Sequence, residues 1–369
     1  MKITDVQTIH VAIPMEKAYG YSKGKLQQRE YILIRIETDA GILGAGYTFS
    51  LDKGGGIKYL IDHNLRPLLL GADPLFHELH WNRMFQANYF DFGRNGAIIR
   101  AISAVDLALW DIKCKLAKLP LCQLLGGYRT HIPAYASGGA YYEGNGLKLV
   151  AEEMAACVEA GFKAVKMKIG RGSAQDDRAR VKAVRQAIGS EVELIVDAVN
   201  GWRDPKHAIK VAHLIEEYDI RWLEEPLMPD NIQGLAQIAA AIDIPVAGSE
   251  FEAGRWAYRN FLVHKAFDIL MPDVNTVGGI SEWLKIAGMA AGFDVPISPH
   301  RASEVHAQLA GATPNVFMIE YQAPVQAGVV VFDKILRESL RCKDGMIEIP
   351  QTPGVGLDFD WEAVESYRV

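Results

Sequence analysis

The chain has 369 residues, a net charge of −6 and apolar side chains at nearly half of its positions. That length is too great for one ordinary domain and suits a barrel with a smaller companion. An acidic balance with no basic tract argues against nucleic acid as a partner, and no run of about 18 apolar residues is present to span a membrane.

The opening stretch MKITDVQTIHVAIP alternates as a strand does and lacks the basic start and apolar stretch of a secretion signal. Cys114, Cys122, Cys157 and Cys342 are scattered without CxxC spacing. Both features lead us to expect a cytoplasmic protein with reduced thiols. The first 125 residues read as α+β. Strands are expected over 2–13 and 30–47, the second broken by a hairpin turn at Asp39-Ala40-Gly41. Gly54-Gly55-Gly56 has no following Lys-Ser/Thr, so it is read as a plain turn rather than a phosphate loop. Three helices should follow. The clearest carries Ile98, Ile102, Val105, Leu109, Ile112 and Leu116 on one face, and Gly126-Gly127 stops the segment after it.

From about residue 130, eight short apolar runs alternate with amphipathic helical stretches: HIPAYAS, FKAVKMKI, VELIVDAV, IRWLEEP, IPVAGSE, FDILMPD, DVPISPH and NVFMIEY. Eight βα units of this kind imply a parallel barrel over 126–325. A doubly wound open sheet is the competitor, but it would ordinarily begin with a glycine-rich turn. The remaining segment, 326–369, should pack back on the N-terminal part.

Nearly every run ends in an ionisable residue: Lys166 and Lys168, Asp197, Glu224, Glu250, Asp273, His300 and Glu320. One such residue alone is more often a helix cap or turn former. Seven runs ending this way suggest a single barrel mouth, where the C-terminal strand ends converge. Asp197, Glu224 and Glu250 come from three consecutive runs. Hard carboxylate oxygens aimed at one point repel unless a cation lies between them, and Mg²⁺ suits such a set. Zn²⁺ would call for His or Cys. Glu225 and Glu252 are rival ligands, although strand alternation keeps Glu224 and Glu225 from pointing the same way. Lys166 and Lys168, two apart, share a face, and we expect their mutual repulsion to lower at least one pKa. Asp273 can hold the imidazole of His300. The other histidines, His306 among them, are read as structural. A metal on one side, amines on another and a His–Asp pair on a third suit removal of the proton next to a substrate carboxylate.

With these residues in view, the chain resembles the mandelate racemase branch of the enolase superfamily. The likeness rests on the K-x-K at Lys166/Lys168, Asp197, the EEP at Glu224, and Glu250. It extends to Asp273 in MPDVNTVGG, His300 in SPH, Glu320, the run AISAVDLALWDIKCKLAKLPLCQLLGG and the tail PGVGLDFD. The resemblance implies an α/β fold, a modified TIM barrel (β/α)₇β with an N-terminal α+β capping domain. It implies Mg²⁺ on Asp197, Glu224 and Glu250, Lys168 as base on one face, and His300 with Asp273 as acid or base on the other. Lys166, Glu320 and Ser137 would contact the substrate carboxylate. Many family members carry Asp-x-Asn on the third run; here Val199 stands in the Asn position and Asn200 follows one place later.

The resemblance covers dehydratases of sugar acids and racemases, and both begin with the same proton removal. The capping loop, with Tyr19, Tyr21, Ser22, Lys23 and Lys25, offers hydrogen-bond donors that suit a polyhydroxylated acid. Tyr21 and Lys23 are therefore candidate substrate contacts, and dehydration is the favoured reaction. Racemisation or epimerisation of a 2-hydroxy acid is the alternative. A metal- or ligand-binding barrel without activity is a third reading, opposed by the complete acid/base set. A small-molecule carboxylate as partner and a homo-oligomeric assembly are also expected.

Overall fold

The computed structural model describes residues 1–51, 53–141, 146–322 and 330–369. Alternation along the first fifty residues builds a three-stranded antiparallel sheet of β1 (Ile3–Tyr21), β2 (Gly24–Thr38) and β3 (Leu43–Ser50). The β2–β3 turn falls at the expected hairpin. The β1–β2 pair runs further than the sequence suggested, to Tyr21↔Gly24, after a register shift between Pro14 and Tyr19. Ser22 and Lys23 are therefore the tip of a long hairpin. The two faces of the sheet serve two cores. On β2, Tyr31 and Leu33 join the core shared with the barrel, while Ile32, Ile34 and Ile36 join the core under the capping helices.

Those helices are α1 (Gly54–Leu60), α2 (Arg66–Leu69), α3 (His77–Phe92), α4 (Ala97–Ala117) and α5 (Leu121–Leu124). The three glycines read as a turn instead open α1. Their backbone is accepted there because Gly54 N–H donates to Glu30 Oε2 at 3.0 Å, which no spacing rule reveals. On α4 the apolar stripe is buried from Ile98 to Ile112, whereas Leu116 lies exposed at the last turn. Gly44 and Gly46 on β3 let α4 approach closely. A Cβ at Gly46 would run into the Ala104 carbonyl and the Ala108 amide.

The barrel strands are β4 (His131–Ser137), β5 (Ala164–Lys168), β6 (Glu193–Asp197), β7 (Ile220–Glu224), β8 (Val246–Gly248), β9 (Ile269–Leu270) and β10 (Ile319–Tyr321). They pair in parallel from β4 to β9, and β10 pairs with β4. The run DVPISPH supplies the missing stave as a single bridge residue, Ile297, which touches Leu270 on one side and Val316 on the other. Pro296 and Pro299 flank it and remove the amide donors a longer strand would need. Helices α6 (Gly146–Glu159), α7 (Ala174–Ile188), α8 (Pro205–Ile215), α9 (Ile232–Ala241), α10 (Gly254–His264), α11 (Gly279–Gly292) and α12 (Ser303–Ala310) follow in alternation with the strands. The described fold is thus an antiparallel capping sheet with helices beside a closed α/β barrel. No helix among the described residues is long and apolar enough to cross a membrane.

Barrel and cap are joined by buried polar contacts between α4 and α11. Asp106 accepts from the Ser281 amide at 2.9 Å and from its hydroxyl at 2.7 Å, and Trp110 Nε1–H donates to the same hydroxyl at 2.9 Å. The last residues lie along β1, where Ala12 N–H donates to Tyr367 O and Val369 N–H to His10 O. The expected boundary at 325/326 falls in 323–329, outside the described residues.

The close approach of β3 and α4 makes Gly46 a sensitive position. Gly46→Ala should destabilise the protein by about 1–3 kcal/mol through overpacking, read as a lowered urea midpoint; an unchanged midpoint would show that the sheet and helix can part without cost.

Candidate active site

Inside the barrel, Tyr135, Ala164, Ile195, Trp222, Ala247, Ile269 and Met271 form an apolar floor. Two residues further along the same strands the inward-facing positions are Ser137, Lys166, Asp197 and Glu224. Val165, Met167 and Ile169 turn outward to the helices, so both lysines face the interior. The polar layer is buried: Lys166, Glu224 and Asp273 are fully enclosed, and Asp197, Glu250, His300 and Glu320 nearly so.

The layer is held by pairs of opposite charge. Lys166 contacts Glu224 directly and lies 3.3 Å from Glu320 and 4.0 Å from Asp197. Lys168 contacts Asp197. The second oxygen of Glu224 accepts from Trp222 Nε1–H at 3.0 Å. Across the mouth, His300 Nδ1 meets Asp273 Oδ2 at 2.8 Å, and its Nε2 lies 3.4 Å from Glu250 Oε2. In stave order, Lys168 is second, Asp197, Glu224 and Glu250 are third to fifth, Asp273 sixth, His300 seventh and Glu320 eighth. The three ligand candidates form one continuous wall. Lys168 flanks it on one side and the Asp273–His300 pair on the other.

Several residues that fix this geometry were not legible as functional in the sequence. Arg180, on α7, donates from Nε to the Lys168 carbonyl at 2.8 Å and also reaches the Gly139 and Ala140 carbonyls. Asp177 and Arg180 lie on the apolar face of α7 with Val181, Val184 and Ile188. Charges on that face were the available signal. His306 stitches the dyad together. Its Nε2 accepts from the Val274 amide at 3.2 Å, and its Nδ1–H donates to the Arg301 carbonyl at 2.6 Å. Arg301 and Ala302, directly after His300, both adopt left-handed backbone angles (φ 46° and 43°), a strained pair. It is held from the other side by the Arg301 amide donating to Glu320 Oε2 at 2.9 Å. Glu225, a rival ligand by sequence, sits at φ 44° and accepts from the amides of Ser249 (2.6 Å) and Glu250 (3.2 Å). Its carboxyl thus supports the backbone that presents Glu250.

Electrostatics reverse one expectation. Burial alone would lower both lysine pKa values, but Glu224 and Glu320 outweigh it at Lys166, and Asp197 does so at Lys168. Both ammoniums are pushed up rather than down. Mutual repulsion of the lysines is the smaller effect because each lies against a carboxylate. Burial pushes Glu224 well up, and the charges of Asp197 and Glu250 add to that against Lys166. Burial and Asp197 likewise raise Glu250, opposed by His300. Burial also acts upward on Glu320, but Lys166, His300, Lys168 and Arg301 together hold it well below the usual range. Asp197 is held low too, its burial outweighed by Lys168 and Lys166.

The donor chemistry suits a hard divalent cation: oxygen-only, three carboxylates on adjacent staves, two of them pushed up by burial. Among the described residues no three His, Cys, Asp or Glu side chains are drawn together tightly enough to cage an ion as they stand. Asp197 and Glu224 instead turn oxygens to the lysines.

The cap meets the mouth through its hairpin. Ser22 Oγ–H donates to the Val199 carbonyl at 3.1 Å, and Tyr141 N–H donates to the Gly20 carbonyl at 2.9 Å. Lys23 reaches Met228 Sδ at 3.1 Å on the surface. Tyr21 packs beside Tyr19 and Ala140. Ser137 is buried at the end of β4, opposite Lys166 in register. Where the Asp-x-Asn pattern breaks, Val199 and Asn200 both take left-handed angles. The Asn200 amide donates to Glu225 (2.9 Å) and to the Leu227 carbonyl (2.6 Å), so its polar group is spent on the end of β7.

This arrangement matches known proteins over nearly its whole length. Residues 3–126 match the N-terminal domain of mandelate racemase / muconate lactonizing enzymes, and residues 149–364 match the enolase C-terminal domain-like family. The chain belongs to the mandelate racemase/muconate lactonizing enzyme family of the enolase superfamily. Within this family it is 34% identical to the arabinonate dehydratase of Saccharolobus solfataricus, covering 92% of this chain and 91% of that protein. It is 33% identical to the L-talarate/galactarate dehydratase of Salmonella typhimurium, covering 90% and 81%. A crystal structure of a Streptomyces coelicolor racemase with bound magnesium superimposes with a TM-score of 0.94, at 30% identity and full coverage of both chains. The mandelate racemase-family chain is therefore an enolase-superfamily enzyme, and its similar relatives are mostly sugar-acid dehydratases.

The buried His306 gives a pH test of how the dyad is held. Burial lowers its pKa from 6.5 to about 4. The folded state thus refuses a proton that the unfolded chain accepts below pH 6.5. Stability is intact above that value and falls as the pH drops towards 4. Between pH 7 and pH 5 this group should cost about 2 kcal/mol. His306→Gln, which can keep both hydrogen bonds but does not titrate, should show a correspondingly shallower loss in urea unfolding. Parallel pH profiles for the two proteins would remove His306 as the titrating group.

Proposed function

We propose that the enzyme dehydrates a sugar acid, removing the proton α to its carboxylate and the hydroxyl at the β-carbon to give a 2-keto-3-deoxy acid. The observation that carries this reading is the stave order: a wall of three carboxylates with a base on either side. Asp197, Glu224 and Glu250 would hold Mg²⁺, as the magnesium-containing structural relative suggests. When bound, the ion supplies a Lewis acid for the substrate carboxylate and takes up the negative charge that otherwise holds the lysines protonated. Lys166, Glu320 and Ser137 would contact the substrate carboxylate and its enediolate form.

Lys168 Nζ takes the α-proton, and the C–H electron pair moves into the carbon–carboxylate bond. That pair then forms the Cα–Cβ double bond as the Cβ–O bond breaks. His300, oriented through Nδ1 by Asp273, gives a proton from Nε2 to the departing hydroxyl, which leaves as water. The resulting enol tautomerises to the ketone. Two bases flanking one wall also suit racemisation or epimerisation, in which one removes the proton and the other returns it to the opposite face. Exchange of the α-proton with solvent deuterium without loss of water would establish that second reading.

A screen of sugar mono- and diacids with Mg²⁺, read by 2-keto acid formation, tests the proposal. Lys168→Ala and His300→Ala should each lower turnover by roughly 10²–10⁴-fold with unchanged circular dichroism. Full activity in both variants would refute the acid/base assignment. Asp197→Asn should weaken Mg²⁺ binding by about tenfold or more; the same metal dependence as the parent protein would strike Asp197 from the ligand set.

A further inference from the structure

Above the barrel mouth the cap presents an arginine that forms no ion pair within 4 Å among the described residues. Arg29, near the start of β2, is only 4% exposed, and its two terminal guanidinium nitrogens have no hydrogen-bond partner among the described residues. Alternation along β2 puts it on the face of Tyr31 and Leu33, which looks towards the barrel. Its cross-strand neighbour on that face is Ile13. The adjacent acid, Glu30, is on the other face with its oxygens committed: Oε2 to His10 (3.1 Å) and Gly54 N–H (3.0 Å), Oε1 to Gln28 (3.1 Å). It cannot serve as counter-ion.

Arg29 belongs to a cationic roof. Its Cζ lies 5.4 Å from the centre of the Tyr19 ring. Tyr19 is in turn within electrostatic reach of Lys168. Arg301 and Arg100 both lie against the Phe49 ring, at 5.6 and 4.7 Å. Among the main charges acting on Arg29 the one carboxylate is Glu320, already engaged by Lys166 and the Arg301 amide. Burial, with Arg301 adding to it, brings the Arg29 guanidinium down to about 10, so it stays charged at neutral pH. An enclosed guanidinium with unmade hydrogen bonds destabilises a fold. Its planar fork is suited to a carboxylate held by two parallel hydrogen bonds.

We infer that Arg29, backed by Arg301, receives a second carboxylate at the far end of the substrate, and that the enzyme acts on dicarboxylic sugar acids. This rests on the sugar-acid reading above and narrows it. The catalytic wall takes the carboxylate next to the reacting carbon, and the roof takes the distal one. A monoacid would leave the guanidinium buried and unmatched, so the site discriminates against it.

The test separates binding from chemistry. In a Lys168→Ala background with Mg²⁺ present, titration calorimetry compares galactarate and glucarate with galactonate and gluconate. At least one diacid should bind roughly 10- to 100-fold more tightly than its monoacid. Adding Arg29→Met should abolish that margin and leave monoacid affinity unchanged, while the melting temperature holds or rises. Arg29→Lys should restore only part of it. Equal affinity for the two classes, absence of any diacid preference, an equal loss for both classes in Arg29→Met, or a lowered melting temperature without a change in preference would each overturn the inference. If the diacid preference holds but no acid loses water in the otherwise unmodified enzyme, the dehydratase reading falls and the role of Arg29 stands.

Discussion

Burying five carboxylates in one barrel mouth is the constraint from which the rest of this structure follows. Charges removed from water are tolerated only when paired and hydrogen-bonded. Here the pairing is built into the strand register. Lys168 stands beside Asp197, and Asp197 beside Glu224, because β5, β6 and β7 are neighbours in phase. The apolar floor below excludes water from one side, and the cap covers the other. At Lys166, Lys168, Asp197 and Glu320 the charged neighbours therefore outweigh burial. The lysines thus lie as ammonium partners of the carboxylates, while burial pushes Glu224 and Glu250 up.

A second consequence is mechanical. Charged groups must be held to within a fraction of an ångström to act together, yet they sit at strand ends where the chain turns sharply. The structure secures these ends from outside the mouth. Arg180 grips the carbonyl of Lys168, Glu225 the amides before and at Glu250, and His306 the backbone after both Asp273 and His300. The left-handed angles at Val199, Asn200, Glu225, Ser249, Arg301 and Ala302 cluster at these same turns. Backbone strain is thus concentrated where the functional side chains are aimed, and it is borne by buried hydrogen bonds.

The cap contributes the remaining half of the enclosure. One face of its sheet packs on its own helices and the other on the barrel, so a single strand such as β2 feeds both cores by alternation. That division carries Arg29 and Tyr31 over the mouth and Glu30 away from it. The lysines, the carboxylates and His300 therefore come from the barrel, while the cap and the loop after His300 supply Arg29, Tyr31 and Arg301 above them.

The sequence alone was sufficient for the alternation of strands and helices, the barrel, and the gathering of Lys168, Asp197, Glu224, Glu250, Asp273 and His300 at one opening. Each of these follows from periodicity and from position at the end of a run, properties local to the chain. The seventh stave shows the limit of that reading. DVPISPH has the composition of a strand, but its two prolines reduce it to one bridge residue. Gly54-Gly55-Gly56 fails in the same way, because only the distant carboxylate of Glu30 makes it a helix start. The protonation of the lysines, the supporting roles of Arg180, Glu225 and His306, and the isolation of Arg29 were decided by tertiary structure. Each depends on which group from another element lies within a few ångströms in a medium of low dielectric, and spacing along the chain carries no record of that.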